Sequence, residues 1–218
     1  MNAQATRNAI HEDRIIAIVR GIPSPKLLPT IQALREGGIR LIEVTLEQSS
    51  REGVERTLAD IGRIHSELGE SVLLGAGTVM DADQAERAIE AGAEYLISPH
   101  VDRGVIETAK RRGKVSIPGA LTPTEAAEAY ALGADFVKLF PAGLFGVSYL
   151  KALRGPLSNI PFLVVGNISL ENIAGFLDAG AAGTGVGGEL VDKKAIEAGE
   201  YGKVTRTAQS YLKQTKRG

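Results

Sequence analysis

The chain has 218 residues and a formal net charge of −1, with 44% hydrophobic and 23% charged residues. These values are ordinary for a globular protein of one large or two small domains, and the near-neutral charge predicts no nucleic-acid partner. Because cysteine is absent, disulfides, thiolate metal sites and a cysteine nucleophile are excluded.

The N-terminal stretch 1–14 has no apolar segment typical of a signal peptide. No apolar run approaches the roughly 20 residues that a membrane-spanning helix needs, so no membrane partner is expected. A chain that needs no disulfide suits a reducing compartment, and we therefore expect a cytoplasmic location.

Helix-like and strand-like segments alternate along the chain. Residues 1–13 predict a first helix, and further helical patterns lie at residues 25–36, 50–68, 81–91, 102–112, 122–132 and 169–179. Short apolar runs predict eight strands, at residues 14–21, 39–46, 71–79, 94–99, 114–120, 135–141, 162–167 and 182–188.

A strand followed by a helix, repeated eight times in about 200 residues, predicts an α/β fold of the (β/α)8 TIM-barrel type. No linker interrupts the chain, so residues 1–218 are expected to form a single domain, with residues 1–13 as an extra helix over the N-terminal end of the barrel. The structural alternative is a doubly wound open sheet. That fold favours a G-x-G-x-x-G turn after the first strand, and RGIPSP lacks it.

Polar residues on the strands indicate where a site would lie. Side chains of a barrel strand alternate between the interior and the helix layer. In the second strand Ile42, Val44 and Leu46 form an apolar face, so Glu43 is expected to point inward. By the same alternation Lys138 points inward from the run DFVKLFP.

The same reasoning places two more polar groups at the carboxyl end of the barrel, where barrel enzymes carry their active sites. Arg20 shares a face with Ile18, and Thr78 shares a face with Ala76. Four polar groups thus converge on one cavity. A buried Lys–Glu salt bridge could simply close the core, but buried lysines and glutamates are rare unless they are used, which favours a functional site.

Lysine and glutamate together suggest a specific chemistry. A desolvated lysine has a lowered pKa, and its neutral amine can attack a ketone to form a Schiff base. A nearby carboxylate can move the protons that carbon–carbon cleavage requires. No metal or cofactor is expected, because His11 and His65 fall in helices and His100 stands alone after the fourth strand.

Glycine-rich sequences end the seventh and eighth strands. VVGNIS and GVGGEL predict a phosphate site built from backbone N–H groups at Gly166, Asn167, Gly187 and Gly188. The alternative interpretation is a tight turn between strand and helix.

Five motifs resemble one known family. IEVTL (42–46), GAGTV (75–79), ISPH (97–100), IPGALTPTE (117–125) and FVKLFPA (136–142) are similar to the 2-keto-3-deoxy-6-phosphogluconate aldolases. That family also includes 4-hydroxy-2-oxoglutarate and 2-keto-3-deoxy-6-phosphogalactonate aldolases. The resemblance covers nearly the whole chain and implies a metal-free (β/α)8 barrel, usually a homotrimer, that acts on a small-molecule substrate.

The resemblance also implies roles for individual residues. Those roles are Lys138 as the Schiff-base lysine, Glu43 as the general acid/base, Thr78 beside the pyruvate carboxylate, Arg20 as a substrate contact, and Pro118 and Phe140 as walls of the pyruvate pocket. Three departures leave the aldehyde half of the substrate open. Glu47 stands where the family often has arginine, and residues 165–168 read VGNI instead of TGGI. Gly188 stands where the family usually has serine, and Glu189 follows it.

The expected function is therefore a class I aldolase that cleaves 2-keto-3-deoxy-6-phosphogluconate to pyruvate and glyceraldehyde 3-phosphate. One alternative is an aldolase for 4-hydroxy-2-oxoglutarate or another 2-keto-3-deoxy acid. A second is a catalytically inactive, ligand-binding barrel. A third is another phosphate-binding barrel, such as an isomerase or a thiamin-phosphate-synthase-like enzyme, which gives no reason for Lys138.

Overall fold

Parallel strands form one curved sheet in the computed structural model, which describes residues 2–216. Its hydrogen-bonded order is β5-β4-β3-β2-β1-β9-β8-β7-β6. The two end strands, β5 and β6, are separated in sequence by Pro118 alone, so they are halves of one strand and the sheet closes on itself. The predicted (β/α)8 barrel is confirmed. Residues 1, 217 and 218 of the predicted domain lie outside the described part of the chain.

The described strands are shorter than the apolar runs that predicted them. Their bounds are Ile15–Val19 (β1), Leu41–Thr45 (β2), Leu73–Gly77 (β3), Tyr95–Ile97 (β4), Val115–Ile117 (β5), Gly119–Ala120 (β6), Val137–Leu139 (β7), Phe162–Val165 (β8) and Gly183–Val186 (β9). Even the glycine-rich β9 pairs with β1 and β8, because parallel neighbours supply its hydrogen bonds.

Helices lie between successive strands and cover the barrel. They are Ala3–Asp13 (α1), Ser24–Glu36 (α2), Arg51–Leu68 (α3), Ala82–Glu90 (α4), Arg103–Arg111 (α5), Pro123–Ala131 (α6), Ala142–Arg154 (α7), Ile173–Asp178 (α8), Lys193–Glu197 (α9) and Tyr201–Thr215 (α10). No bounds were predicted for α7, α9 or α10. None of the helices in residues 2–216 has the length and apolar character needed to cross a membrane.

Side-chain caps explain where several helices begin. Ser50, Asp81 and Asp102 each accept a backbone N–H of the first turn of the following helix. Thr122 and Glu125 form a capping box at the start of α6. These caps satisfy N–H groups that have no partner within the helix, so each helix starts within one residue of its capping side chain.

The extra N-terminal helix, α1, lies across the amino end of the barrel, as predicted. Ala9 and Ile10 are buried in one cluster with barrel-interior residues, among them Ile16, Leu41 and Phe136. His11 packs its ring against Phe136 at a centroid distance of 5.0 Å. The helix thus closes the end opposite to the expected site.

The predicted facing of β3 is wrong. Leu73 belongs to the interior cluster, whereas Leu74 and Ala76 pack in the outer layer against the helices. The inner face of β3 above Leu73 therefore consists of Gly75 and Gly77. Thr78 still reaches the carboxyl end because its φ of 55° breaks the alternation directly after the strand.

Candidate active site

A cavity of about 560 Å³ opens at the carboxyl end of the barrel, here called the mouth. Loops after five or more strands contribute to it, as expected for a barrel. Nine of the ten residues predicted for the site line this cavity: Arg20, Glu43, Thr78, Lys138, Phe140, Gly166, Asn167, Gly187 and Gly188.

Lys138 is the central group of the cavity. It lies in the middle of β7 with only 8% of its surface exposed, and its Nζ is 4.9 Å from the centre of the Phe140 ring. Burial lowers the pKa of Lys138, Glu43 opposes that shift and Arg20 adds to it. The resulting increase in neutral amine is what a nucleophilic lysine requires.

Glu43 lies on β2 with 2% of its surface exposed. Burial raises the pKa of its carboxyl, while Lys138, the Thr45 hydroxyl and Arg20 act in the opposite direction. Thr45 donates a hydrogen bond to Oε1 at 3.0 Å, whereas Oε2 has no partner within the described chain. A buried carboxyl oxygen left without any partner would cost about 1–3 kcal/mol, so Oε2 calls for one.

Lys138 and Glu43 form no ion pair in the part of the chain that the structure describes. A simple salt bridge that closes the core therefore does not account for the two residues. Both side chains instead line the same cavity. The pKa of Glu43 is raised and that of Lys138 is lowered, and the two groups are not paired. Such a difference is expected of an acid/base group beside a nucleophile.

Glycines on β3 make room for the carboxyl. A Cβ atom on Gly77 would lie 1.7 Å from Oε1 of Glu43, and a Cβ atom on Gly75 would lie 2.1 Å from the Tyr95 ring. Any side chain at either position would displace a buried group. The GAGTV motif thus has a steric reason for its glycines, which the one-dimensional pattern did not reveal.

One predicted site residue does not reach the cavity. Pro118 is buried between β5 and β6 and is not among the lining residues, whereas Pro99 after β4 is. The carbonyl oxygen of Pro118 accepts the backbone N–H of Lys138 at 2.8 Å. Pro118 therefore supports the strand of the lysine through its backbone. His100 is exposed and also lies outside the lining residues.

The glycine-rich turns after β8 and β9 form the opposite wall. Gly166 and Asn167 have φ angles of 89° and 54°, and Gly188 has a φ of 26°. The backbone N–H groups of Asn167, Ile168, Gly188 and Glu189 donate no hydrogen bond to another described residue. Unpaired N–H groups at a solvent-accessible wall are suited to binding an anion.

A carboxylate stands at the same wall. Glu189 lines the cavity and accepts a hydrogen bond of 3.2 Å from the hydroxyl of Tyr211, which is buried in α10. Burial and the charge of Glu189 raise the pKa of Tyr211, so this hydroxyl remains a donor. Glu189 thus lines the mouth while its carboxylate is bonded to α10.

A second cavity of about 730 Å³ adjoins the first and shares Arg20, Thr45 and Thr78 with it. Glu47, which replaces the arginine expected from the family pattern, lines this second cavity. Its carboxylate accepts hydrogen bonds from Ser49 and Arg56, and these bonds lower the pKa of Glu47. Arg56 and Glu47 thereby neutralise each other beside the mouth, a pairing that the sequence analysis missed.

A closed barrel with a desolvated lysine and a buried carboxylate at its carboxyl end has the groups that an aldolase, a lyase that breaks carbon–carbon bonds, can use. The family described as KDPG and KHG aldolase matches residues 6–207. The chain therefore belongs to the KDPG/KHG aldolase family and is an enzyme of the pyruvate aldolase type.

Relatives with known names agree with this assignment. A 2-dehydro-3-deoxy-6-phosphogalactonate aldolase of Escherichia coli K12 is 34% identical over 201 residues, covering 89% of this chain and 95% of that protein. A 2-dehydro-3-deoxy-phosphogluconate aldolase of Treponema pallidum is 34% identical over 208 residues, 94% of each chain. The structure of KDPG aldolase from Legionella pneumophila, with pyruvate captured as a covalent carbinolamine, has a TM-score of 0.84 at 26% identity and covers 94% of this chain and 97% of that one.

Proposed function

We propose that the protein reversibly cleaves a 2-keto-3-deoxy-6-phosphosugar acid to pyruvate and an aldehyde phosphate, with Lys138 as the Schiff-base nucleophile and Glu43 as the general acid/base. The observation that carries the proposal is the buried Lys138 amine, whose pKa is lowered by desolvation, in one cavity with a buried carboxyl. The carbinolamine of the Legionella relative supports a covalent route.

The reaction follows from the two groups. The neutral amine of Lys138 attacks the C2 ketone, and loss of water from the carbinolamine leaves a protonated imine. The Glu43 carboxylate takes the proton of the C4 hydroxyl, the C3–C4 bond breaks, and its electron pair moves into the imine to give an enamine and an aldehyde. Glu43 then returns a proton to C3, and water releases pyruvate and the free lysine.

The remaining lining residues fit the two ends of the substrate. Arg20 and Thr78 both line the cavity. Arg20 supplies positive charge at the mouth, and the Thr78 hydroxyl would bind the pyruvate carboxylate. The free N–H groups of Asn167, Ile168, Gly188 and Glu189 would hold the phosphate. Phe140 covers the lysine and forms an apolar wall of the pyruvate pocket.

Borohydride trapping tests the proposal directly. Incubation of the protein with pyruvate and sodium borohydride, followed by peptide mass spectrometry, is expected to show one reduced pyruvate adduct, on Lys138. An unmodified Lys138, or an adduct on another lysine with Lys138 free, would be incompatible with the mechanism.

The substrate proposed first is 2-keto-3-deoxy-6-phosphogluconate, the KDPG of the family description, with the C4-epimeric phosphogalactonate of the Escherichia coli relative as its competitor. The second candidate is an unphosphorylated acid such as 4-hydroxy-2-oxoglutarate. Glu189 favours this candidate, because a carboxylate beside a bound phosphate is repulsive.

Specificity constants for the three acids decide among them. A preference below about tenfold for phosphorylated substrate, about 1.4 kcal/mol, argues against a dedicated phosphate site.

Substituting Glu189 gives a sharper measure. Glu189→Gln is expected to raise the preference for phosphorylated over unphosphorylated substrate by about threefold to tenfold, because a like charge near the phosphate is removed at the solvent-exposed mouth. The readout is the ratio of kcat/KM values for the two substrates. Glu70→Gln, which removes an exposed carboxylate before β3 at the amino end of the barrel, is the matched control and should leave this ratio unchanged. An unchanged ratio in Glu189→Gln would indicate that no phosphate binds near residue 189.

We also propose that the protein forms a homotrimer. Leu144 and Phe145, near the start of α7, expose 68% and 47% of their surfaces. Such adjacent apolar side chains are typical of a subunit contact. Light scattering should give three times the 23.0 kDa chain mass. Leu144→Asp should lower that mass, whereas a wild-type mass of one chain would contradict the trimer.

A further inference from the structure

Two polar atoms inside the barrel have no hydrogen-bond partner in residues 2–216: Oε2 of Glu43 and the hydroxyl of Tyr95. Tyr95 lies on β4, is 0% exposed and belongs to the interior cluster. The mechanism above gives it no part. Since buried polar groups in native proteins nearly always bond to protein or to an ordered water, both atoms need an explanation.

The ring of Tyr95 lies over the neighbouring strand. Tyr95 is in register with Gly75 on β3, and Gly75 is in register with Glu43 on β2. A Cβ atom on Gly75 would be 2.1 Å from Cε2 and 2.4 Å from Cζ of the tyrosine. The ring therefore fills the space left by the missing side chain of Gly75, and its hydroxyl-bearing carbon is part of that contact.

The carboxyl of Glu43 lies over the same strand, one inner-face position nearer the mouth. Its Oε1 would be 1.7 Å from a Cβ atom on Gly77. Gly75 and Gly77 are separated by about 6.6 Å along β3, at roughly 3.3 Å per residue. One water that bonds two oxygens spans about 5.6 Å, from two contacts of about 2.8 Å. The ring and the carboxyl therefore occupy successive inner-face positions over β3, a spacing on the scale that one water spans, and the charge of Glu43 acts on the Tyr95 hydroxyl.

We propose that one buried water molecule joins the Tyr95 hydroxyl to Oε2 of Glu43, and that Tyr95 is thereby a positioning residue for the proton transfers of Glu43. The inference rests on the proposed acid/base role of Glu43. The water accepts from the tyrosine and donates to Oε2, while Thr45 donates to Oε1, so both carboxyl oxygens are held.

The groups that face Glu43 decide the effect of this bridge. Lys138 from β7 and Arg20 after β1 are the cations that act on its carboxyl, and Thr45 is its neighbour on β2. Burial, and then the charge of Glu43, raise the pKa of Tyr95, so the tyrosine keeps its proton and remains a donor. A hydrogen bond donated to the carboxylate stabilises the charged form, so losing the bridge raises the pKa of Glu43.

Tyr95→Phe tests the bridge because it keeps the ring and removes the hydroxyl. The readout is exchange of pyruvate methyl protons with D2O at saturating pyruvate, followed by NMR across pH. At saturating pyruvate Lys138 is already the imine. The fall of the exchange rate at low pH therefore reports the protonation of the Glu43 carboxyl. The midpoint of this fall is expected to move up by about one pH unit, with about tenfold slower exchange below it. The pyruvate concentration for half-saturation and borohydride labelling of Lys138 are expected to stay at wild-type values.

Ser116→Ala is the matched control. The Ser116 hydroxyl is also buried without a partner, but its strand neighbours Val115 and Ile117 occupy the interior, so it faces the helix layer. The control should leave the exchange profile unchanged. A crystal structure of the wild type with a water bonded to both Tyr95 and Glu43 would support the bridge.

The failures are distinguishable. If wild-type Lys138 is labelled by pyruvate but the Tyr95→Phe exchange profile coincides with that of the wild type, the bridge is overturned and the proposed function stands. An equal shift in Ser116→Ala would also overturn it. If wild-type Lys138 is not labelled, the proposed function fails first and this inference fails with it.

Discussion

Lys138→Met is expected to lower pyruvate release by at least about 10⁴-fold, and to abolish the borohydride adduct with pyruvate. Methionine has a similar length and no amine, so the carbinolamine cannot form and the reaction loses its electron sink. The measurement is pyruvate release in a coupled assay at saturating substrate. The variant should still fold, because an apolar side chain at a buried, desolvated position is readily accommodated.

Lys114→Met is the control for this substitution. Lys114 is also largely buried, and it pairs with Glu94 at 2.9 Å, but it precedes β5 at the amino end of the barrel. It should keep full activity even if thermal stability falls. Residual turnover above about one per cent in Lys138→Met, with normal circular dichroism, would show that the lysine is not the nucleophile.

Glu43→Gln is expected to reduce turnover by about 10²–10⁴-fold while pyruvate can still be trapped on Lys138. Glutamine has nearly the same shape and cannot accept the C4 proton. Because Glu43 is the group that raises the pKa of Lys138, its loss leaves the amine more readily neutral, and imine formation remains possible. Turnover and trapping measured on the same preparation separate the two roles.

Wild-type turnover is expected to fall at low pH. Glu43 must be ionised to accept a proton, and burial raises its pKa, so wild-type turnover should fall as pH drops through that raised pKa. This limb should disappear in Glu43→Gln. Glu55→Gln, an exposed carboxylate on α3, should retain the wild-type profile. Loss of trapping together with turnover would instead make Glu43 a group that only supports the lysine.

Sequence reasoning predicted the direction of a side chain correctly where alternation along one strand was enough. Lys138 and Glu43 each sit among apolar neighbours whose period of two assigns them to the barrel interior. Thr78 was placed correctly for the wrong reason, because its positive φ interrupts the alternation. Alternation did not indicate that Pro118 lies outside the lining residues and bonds β7 through its backbone carbonyl.

The sequence by itself determined the eight strand–helix repeats, the closed barrel and the inward direction of the two central site residues. These follow from local periodicity and glycine positions, which act over a few neighbouring residues. Only the tertiary structure decided which side chains of different elements contact one another. Tyr95 lies over Gly75 and Glu43 over Gly77, and Arg56 neutralises Glu47 across a loop. Such contacts join residues far apart in the chain, and their geometry exists only once the strands close around the barrel.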